Sequence, residues 1–194
     1  MGKQNRFGQA AVISDKDYRK IRKFLNKKQR ILFDIAWYTG ERWGCLVQLQ
    51  VSDVYSAPGV PRQSITFRSS TRKASPDGKR DTRQVPMHPQ LAEALSHYKA
   101  PASGWLFPSR LEPDEHLTLR GAAWSLGKAV VKAGLSQSGI STHSTRRAFI
   151  THLHEKGCDI KTIQAVTGHK DLKALQRYVE VTPDRVKAAI ALLD

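Results

Sequence analysis

Two side chains able to do chemistry together, His143 and Arg146, stand three residues apart in STHSTRRAFITHLHEKG, residues 141–157. If that stretch is helical, positions i and i+3 share a face, so an imidazole and a guanidinium address one point in space. Ser141 or Thr142 would cap the helix, and its N-terminal N–H groups, with the positive end of the dipole, favour an anion. A phosphate is the natural occupant. Further along, VTGHKDLKALQRYVEV places Gly168 and His169 at a break between two short helices, with Tyr178 near the end of the next. A phenol attacks phosphorus once its proton is taken; at its ordinary pKa near 10, only roughly one in a thousand is ionised at pH 7. Upstream, in YTGERWGCLVQLQVSDV, Arg42 stands just beyond Gly40, where an apolar stretch stops. Its guanidinium offers planar, bidentate donors to phosphate oxygens, the alternative being a structural ion pair with Asp34 or Asp53.

Composition agrees with a polyanionic partner. The 194-residue chain carries 32 Lys and Arg against 17 Asp and Glu, a formal charge of +15. Its isoelectric point is near 10.1. Such a balance favours nucleic acid over a membrane surface, because the basic residues are spread along the chain rather than gathered in one amphipathic helix. No apolar run approaches the roughly 18 residues needed to span a bilayer, and the amino terminus lacks a signal-peptide core. A cytoplasmic, nucleoid-associated protein is the expectation. The two cysteines, Cys45 and Cys158, have no paired spacing, so neither a disulfide framework nor a zinc knuckle is indicated. His152 and His154 lie on different helix faces, so no metal site is expected there, and no acidic cluster suits two-metal catalysis.

The elements that must position these groups follow from periodicity and punctuation. Ser14 and Asp17 resemble a capping box ahead of an exposed basic helix, DKDYRKIRKFLNKK. A second helix, QRILFDIAWYTG, is apolar on most sides and stops at Gly40; a short third covers about 42–49. VSDVYS and QSITFRS read as strands, and TRQVPM returns antiparallel to the latter after a long turn, STRKASPDGKRD. Helices then cover roughly 89–99, 119–133, 142–156, 160–167, 171–179 and 184–192. The expected fold is mainly α with a small antiparallel β-sheet, an α+β single domain over 1–194. Residues 1–28 form a basic arm and helix, 180–194 form a tail helix, and the loop APASGWLFPSRLEPDEH is the one plausible boundary.

The blocks TGER at Arg42, HSTR at His143 to Arg146, GH at Gly168 and His169, and the later Tyr178, in this order, resemble the tyrosine recombinases, the phage integrase or lambda integrase family. QVPMHP, WLFPSR and RRAFITHLHEKGCDIKTIQAVTGH add to the likeness, which runs from about residue 30 to 180. The resemblance implies a catalytic domain that breaks and rejoins double-stranded DNA through a 3′-phosphotyrosine link. It implies that Arg42 and Arg146 hold the non-bridging oxygens of the scissile phosphate. His143 would serve in acid/base work and phosphate positioning, His169 would hydrogen-bond the phosphate, and Tyr178 would attack it. A hairpin lysine would protonate the leaving 5′ oxygen: Lys73 first, Lys79 second. Two fixed guanidiniums meet the charge that develops on phosphorus, so neither a metal nor another cofactor is called for, and no small-molecule substrate. The implied assembly is a dimer or tetramer on DNA. Two other readings share the scaffold, a type IB topoisomerase-like enzyme and a catalytically idle DNA-binding regulator.

The chain departs from the family's pattern at several points. Cys45 stands where an acidic residue often follows the first arginine by three positions, and Thr145 where a hydrophobic residue commonly precedes the second. The approach to the tyrosine reads LQRYVE, with Glu180 in place of a histidine. Typical members also carry a helical amino-terminal core-binding domain that closes a clamp around DNA, and the expectation is that this domain is absent here. The expectation is a catalytic fragment or a minimal integrase, binding DNA weakly and with steep salt dependence.

Overall fold

Ser14 starts the first helix, α1 (Asp15–Lys23), by accepting the Asp17 N–H on its hydroxyl. The computed structural model describes residues 10–72, 78, 80–112, 114–169, 171–172, 175 and 183–191. Lys16, Arg19, Lys20 and Lys23 lie exposed along α1, while Tyr18 and Ile21 turn inward. The basic run does not continue as one helix. Phe24 ends α1, and Asn26 opens α2 (Lys27–Thr39) with a reciprocal capping box to Gln29. Asp34 joins the two helices: Tyr18 Oη donates to its Oδ1 at 2.6 Å, and Arg22 grips both oxygens, each at 2.8 Å. Tyr18 also stacks on Trp37 with ring centroids 4.4 Å apart.

Gly40 stops α2 in the left-handed conformation, φ +60°, its N–H bonded to the Ala36 carbonyl. A Cβ built there would stand 2.4 Å from Cδ1 of Phe149, so only glycine lets the later helix come this close. The corner leads into α3 (Trp43–Leu46) and α4 (Val51–Val54). The expected strand VSDVYS is half helix, because the Asp53 carboxylate accepts the Gln50 N–H at 2.8 Å and closes a helical turn. The strand begins only with β1 (Tyr55–Ala57), which pairs with β2 (Val60–Pro61).

β3 (Ser64–Phe67) and β4 (Arg83–Pro86) form a second antiparallel pair in the expected register, with Ile65 opposite Val85 and Phe67 opposite Arg83. Period-two alternation buries Ile65, Phe67, Val85 and also Arg83. Next come α5 (Pro89–Ser96) and α6 (Leu119–Lys132), each capped as its first residues suggest, by His88 and Thr118. The loop between them does not hang free: Trp105 and Leu106 are tied to Gln50 and Leu49, and Leu106 and Phe107 are fully buried. The architecture is mainly helical with two small antiparallel sheets.

By its contacts the chain divides into two compact units, 1–149 and 150–194. In the first, α1 and α3 pack on α6, and α2 on α5, around a core of Phe33, Leu46, Phe67, Leu91 and Phe107. α7 (Thr142–Glu155) gives its first turns to that unit. The second unit contains α8 (Ile160–Thr167), capped by Asp159 and ended by Gly168, and α9 (Pro183–Ile190). The expected helix at 171–179 lies mostly outside the described residues, as do Lys73, Lys79 and Tyr178. No described helix is long and apolar enough to cross a membrane.

Gly40→Ala sets a methyl against the Phe149 ring in a backbone conformation that alanine disfavours. We expect urea unfolding to show a loss of about 1–3 kcal/mol. A variant as stable as the parent would show that the corner relaxes freely.

Candidate active site

The corner after α2 carries Glu41 and Arg42, and what surrounds Glu41 organises the site. Its side chain is buried, 1% exposed. Oε1 accepts the Arg42 backbone N–H at 2.8 Å and lies 4.0 Å from Nη1 of Arg146. Oε2 accepts from Nη2 of Arg83 at 2.5 Å and lies 3.6 Å from Nε of Arg72. One carboxylate therefore meets three guanidiniums and a backbone amide. Burial pushes the Glu41 carboxyl up, but the Arg83 charge, the Arg42 N–H, the Arg146 charge and the Arg83 hydrogen bond together hold it below the usual glutamate range.

Each arginine has its own second anchor. Nη1 of Arg146 donates to the Gly40 carbonyl at 2.8 Å, so α7 and the end of α2 are joined by the same side chain that reaches Glu41. Arg83, 8% exposed, lies over the Phe67 ring at 5.2 Å, and its Nε and Nη1 have no hydrogen-bond partner among the described residues. Nη1 of Arg72 donates to the Asp81 carbonyl at 2.5 Å. Sequence reasoning passed over Glu41, Arg72 and Arg83. The signal for Arg83 was its parity with Val85 on a strand whose other inward residues are apolar; for Glu41 it was its place inside TGER.

Arg42 is exposed, and among the described residues its guanidinium makes no ion pair. The structural alternative expected for it is not realised. Asp34 is taken by Tyr18 and Arg22, and Asp53 by Arg68 and the Gln50 N–H. His143 is exposed at the start of α7, and Arg146, one turn later, is 6% exposed. The Ser141 hydroxyl does not cap this helix: it has no hydrogen-bond partner among the described residues, and the Ser144 hydroxyl instead accepts the Ser141 N–H at 3.0 Å. Arg147 faces elsewhere, donating from Nη1 to the Ala10 carbonyl at 2.8 Å.

Thr145 has a partner that explains a polar residue in a fully buried position. Its Oγ1 accepts from the Trp43 indole N–H at 3.0 Å and donates to the Thr142 carbonyl at 3.2 Å, tying α3 to the first turn of α7. Cys45 is likewise buried, its Sγ 3.1 Å from Thr71 Oγ1. Burial first, then the Glu41 charge, push this thiol up to about 11, so it stays protonated and unreactive.

In the second unit, Gly168 ends α8 in the left-handed conformation and releases His169. The Thr167 hydroxyl donates to the Ile163 carbonyl at 2.6 Å, so the 2.7 Å contact between Thr167 Oγ1 and Nδ1 of His169 needs the ring nitrogen as donor. The imidazole is thereby oriented. The structure thus brings Arg42, His143 and Arg146 into one unit around the α2–α3 corner and the start of α7, and sets His169 on a fixed turn of the other.

Against known proteins, residues 11–185 match the Phage integrase family. The tyrosine recombinase XerD of Brucella suis biovar 1 is 32% identical over 168 residues, 82% of this chain and 50% of that protein. The chain spans about half the length of the curated relatives it matches. Among solved structures, the Tn1549 transposon integrase in complex with a circular intermediate DNA has a TM-score of 0.74 at 17% identity, over 98% of this chain and 68% of the other. The catalytic domain of bacteriophage HP1 integrase has a TM-score of 0.64 at 20% identity, over 94% of this chain and 95% of the other. At these identities the structural likeness is one of fold.

Two outcomes test this geometry. Trp43→Phe and Thr145→Val each strand a buried polar partner at a cost of about 1–3 kcal/mol, and the double variant should lose less than the sum, with a coupling near 1 kcal/mol. Strictly additive losses would deny the hydrogen bond. Because Glu41 titrates lower in the folded chain than its ordinary 4.5, its contribution is complete above that pH and is lost as pH falls toward the folded value. Urea unfolding across this range should show the parent losing stability more steeply than Glu41→Gln; parallel curves would contradict the buried, charged pairing.

Proposed function

Because the chain belongs to the phage integrase family, we propose that it is the catalytic part of a site-specific DNA recombinase. The observation that supports this most is the meeting of Arg146 and the Arg42 backbone at one oxygen of Glu41, with Arg72 and Arg83 on the other. Guanidinium charge gathered at a buried carboxylate, next to an exposed arginine and an exposed histidine, suits a phosphate diester better than a neutral ligand.

In this reading Arg42 and Arg146 hold the two non-bridging oxygens and stabilise the charge that builds on them as phosphorus becomes pentavalent. The Tyr178 oxygen attacks in line, its proton passing to a base, and His143 serves in that proton transfer and in positioning. The bond from phosphorus to the 5′ oxygen breaks, and the electron pair leaves on that oxygen. Lys73, or failing it Lys79, supplies the proton that makes a free 5′-hydroxyl. His169, its Nδ1 held by Thr167, presents the other edge of its ring to the phosphate. The bond energy is kept in the 3′-phosphotyrosine, so a 5′-hydroxyl from a partner strand reverses the step and exchanges strands.

Double-stranded DNA is the substrate, met along the exposed cations of α1 among others, and pairing of two sites calls for a dimer or tetramer on DNA. The chain acts as one catalytic domain, with residues 1–28 as a basic arm and 180–194 as a tail that packs in cis or on a neighbour. It works in the cytoplasm, where the DNA is.

Incubation with nicked suicide duplexes bearing the inverted repeats beside its gene tests the proposal. A covalent protein–DNA adduct resistant to denaturant is expected, absent in Tyr178→Phe and reduced at least about a hundredfold in rate by Arg146→Ala. No adduct at any salt concentration would leave a DNA-binding regulator. Adducts at unrelated sequences, with relaxation of supercoiled plasmid, would mean a topoisomerase-like enzyme.

A further inference from the structure

We propose that the acidic loop tip around Leu111 in one copy of this chain docks into the basic, tyrosine-lined cleft between residues 55–59 and 96–104 of a second copy. Such a contact is independent of the recombinase reading and holds whether or not the chain cuts DNA.

The receiving side is a cleft of about 910 Å³ in the unit 1–149, within the range of pockets that enclose a small ligand. The start of the β1–β2 hairpin forms one lip and residues 96–104 the other. Tyr55 lines the inside, its ring fixed because the hydroxyl donates to the Leu95 carbonyl at 2.9 Å, and the half-buried Tyr98 adds a second ring. Pro58 and Pro101 extend the apolar walls. Arg62, His97 and Lys99 line it from exposed positions, and no acidic side chain among the described residues does. A Cβ built at Gly59 or Gly104 meets no described atom within 4 Å, so both lips stand open.

The entering side is the tip of the connection between α5 and α6. The chain has only 17 acids against 32 basic residues, yet Glu112, Asp114 and Glu115 fall together here. Beside them Leu111 is 84% exposed, more than any other large apolar side chain among the described residues. A single exposed leucine on a slack loop needs no explanation. This one is held out by a built turn. Ser109 Oγ accepts the Leu111 and Glu112 N–H groups, each at 3.3 Å, and the Ser109 N–H donates to the Glu115 carbonyl at 2.7 Å. The Trp105 indole donates to the Asp114 carbonyl at 2.9 Å, and Pro108 bridges His116. A tip fixed in this way has little freedom left to lose on docking.

Complementarity selects the occupant. A DNA duplex can lay phosphates along the rim but has no group for the apolar walls. A leucine among carboxylates matches both parts, the side chain meeting the tyrosine rings and prolines, the carboxylates meeting Arg62 and Lys99. Tip and cleft are different surfaces, so the contact is head-to-tail and passes from copy to copy. One loop buries less than a standard interface, so the contact is weak by itself; on DNA, where copies are held side by side, effective concentrations of about a millimolar make it sufficient. Net charge sets the salt dependence. Two copies at +15 repel over about 30 Å at 0.01 M salt but only about 8 Å at 0.15 M, while docked opposite charges are screened less.

Sedimentation equilibrium of the DNA-free full chain, up to about 500 μM, tests this. The parent should associate with a dissociation constant on the order of 100 μM at about 0.15 M salt, and more weakly at about 0.01 M. A tip variant, Leu111→Ser with Glu112→Gln, and a cleft variant, Lys99→Glu with Ala102→Trp, should each associate at least about tenfold more weakly. All four positions are exposed, so neither variant disturbs the core. The decisive sample is their equimolar mixture. The tip variant keeps a cleft and the cleft variant keeps a tip, so together they should regain an association that neither shows alone. A mixture no more associated than its components overturns the proposal. So does a parent that stays monomeric at the highest concentration; should its Ala102 and Ser103 amide resonances then shift with a short duplex, the cleft is a DNA contact instead. No cleavage enters these measurements, so a chain that forms no adduct leaves their outcome unchanged.

Discussion

A single buried carboxylate, Glu41, is the constraint on which the candidate site depends. Buried charge is tolerated only when it is paired and hydrogen-bonded, and removing one partner of such a set costs several kcal/mol because the remaining charges stay buried. Glu41 satisfies that condition from four directions at once, with Arg72, Arg83, Arg146 and the Arg42 amide. The corner, the second hairpin and α7 can be correct only together. The same network reaches Arg146, one of the two arginines proposed to touch the phosphate.

The surrounding fold serves that arrangement through close approach. Gly40 has no side chain, so Phe149 packs onto the corner and brings Arg146 within reach of the Gly40 carbonyl. The Trp43 indole bonds Thr145, the residue before Arg146, and so fixes the same turn from the other side. β3 and β4 keep Arg83 inward by strict alternation, opposite Phe67, whose ring covers the guanidinium. Each device uses a different physical rule: Gly40 and Trp43 act on the first turns of α7, and the β3–β4 pair acts on Arg83, which reaches Glu41. The basic face of α1 is held separately: Asp34 pairs with Arg22, and Lys16, Arg19, Lys20 and Lys23 are exposed.

Much of this was legible in the sequence because it depends on local rules. Gly40 as a helix stop, Ser14 as a cap, Ile65 and Phe67 as one face of a strand, and the start of α7 at residue 142 all follow from periodicity and punctuation. The break at Asn26 was missed because the charges on either side of it read as one continuous basic face. VSDVYS was misread because β-branched residues outweighed an Asp53 side chain that closes a helical turn. The partners of Glu41 were illegible for a deeper reason. They sit 31, 42 and 105 residues away, as residue numbers 72, 83 and 146 show, and no local pattern encodes which buried arginines share a carboxylate. Arg42 was expected to need Asp34 or Asp53 in the structural case; both are engaged by Arg22 and Arg68, which no local pattern marks as their partners.

The most direct test of the central claim is a crystal structure of the Tyr178→Phe protein on an uncleaved duplex. The account predicts the Arg42 and Arg146 guanidiniums each about 3 Å from oxygens on one phosphorus. Arg146 would still be bonded to the Gly40 carbonyl and Glu41 still enclosed by Arg72 and Arg83. A phosphate backbone that contacts the α1 face while Arg42 and Arg146 touch different phosphates, or none, would contradict it.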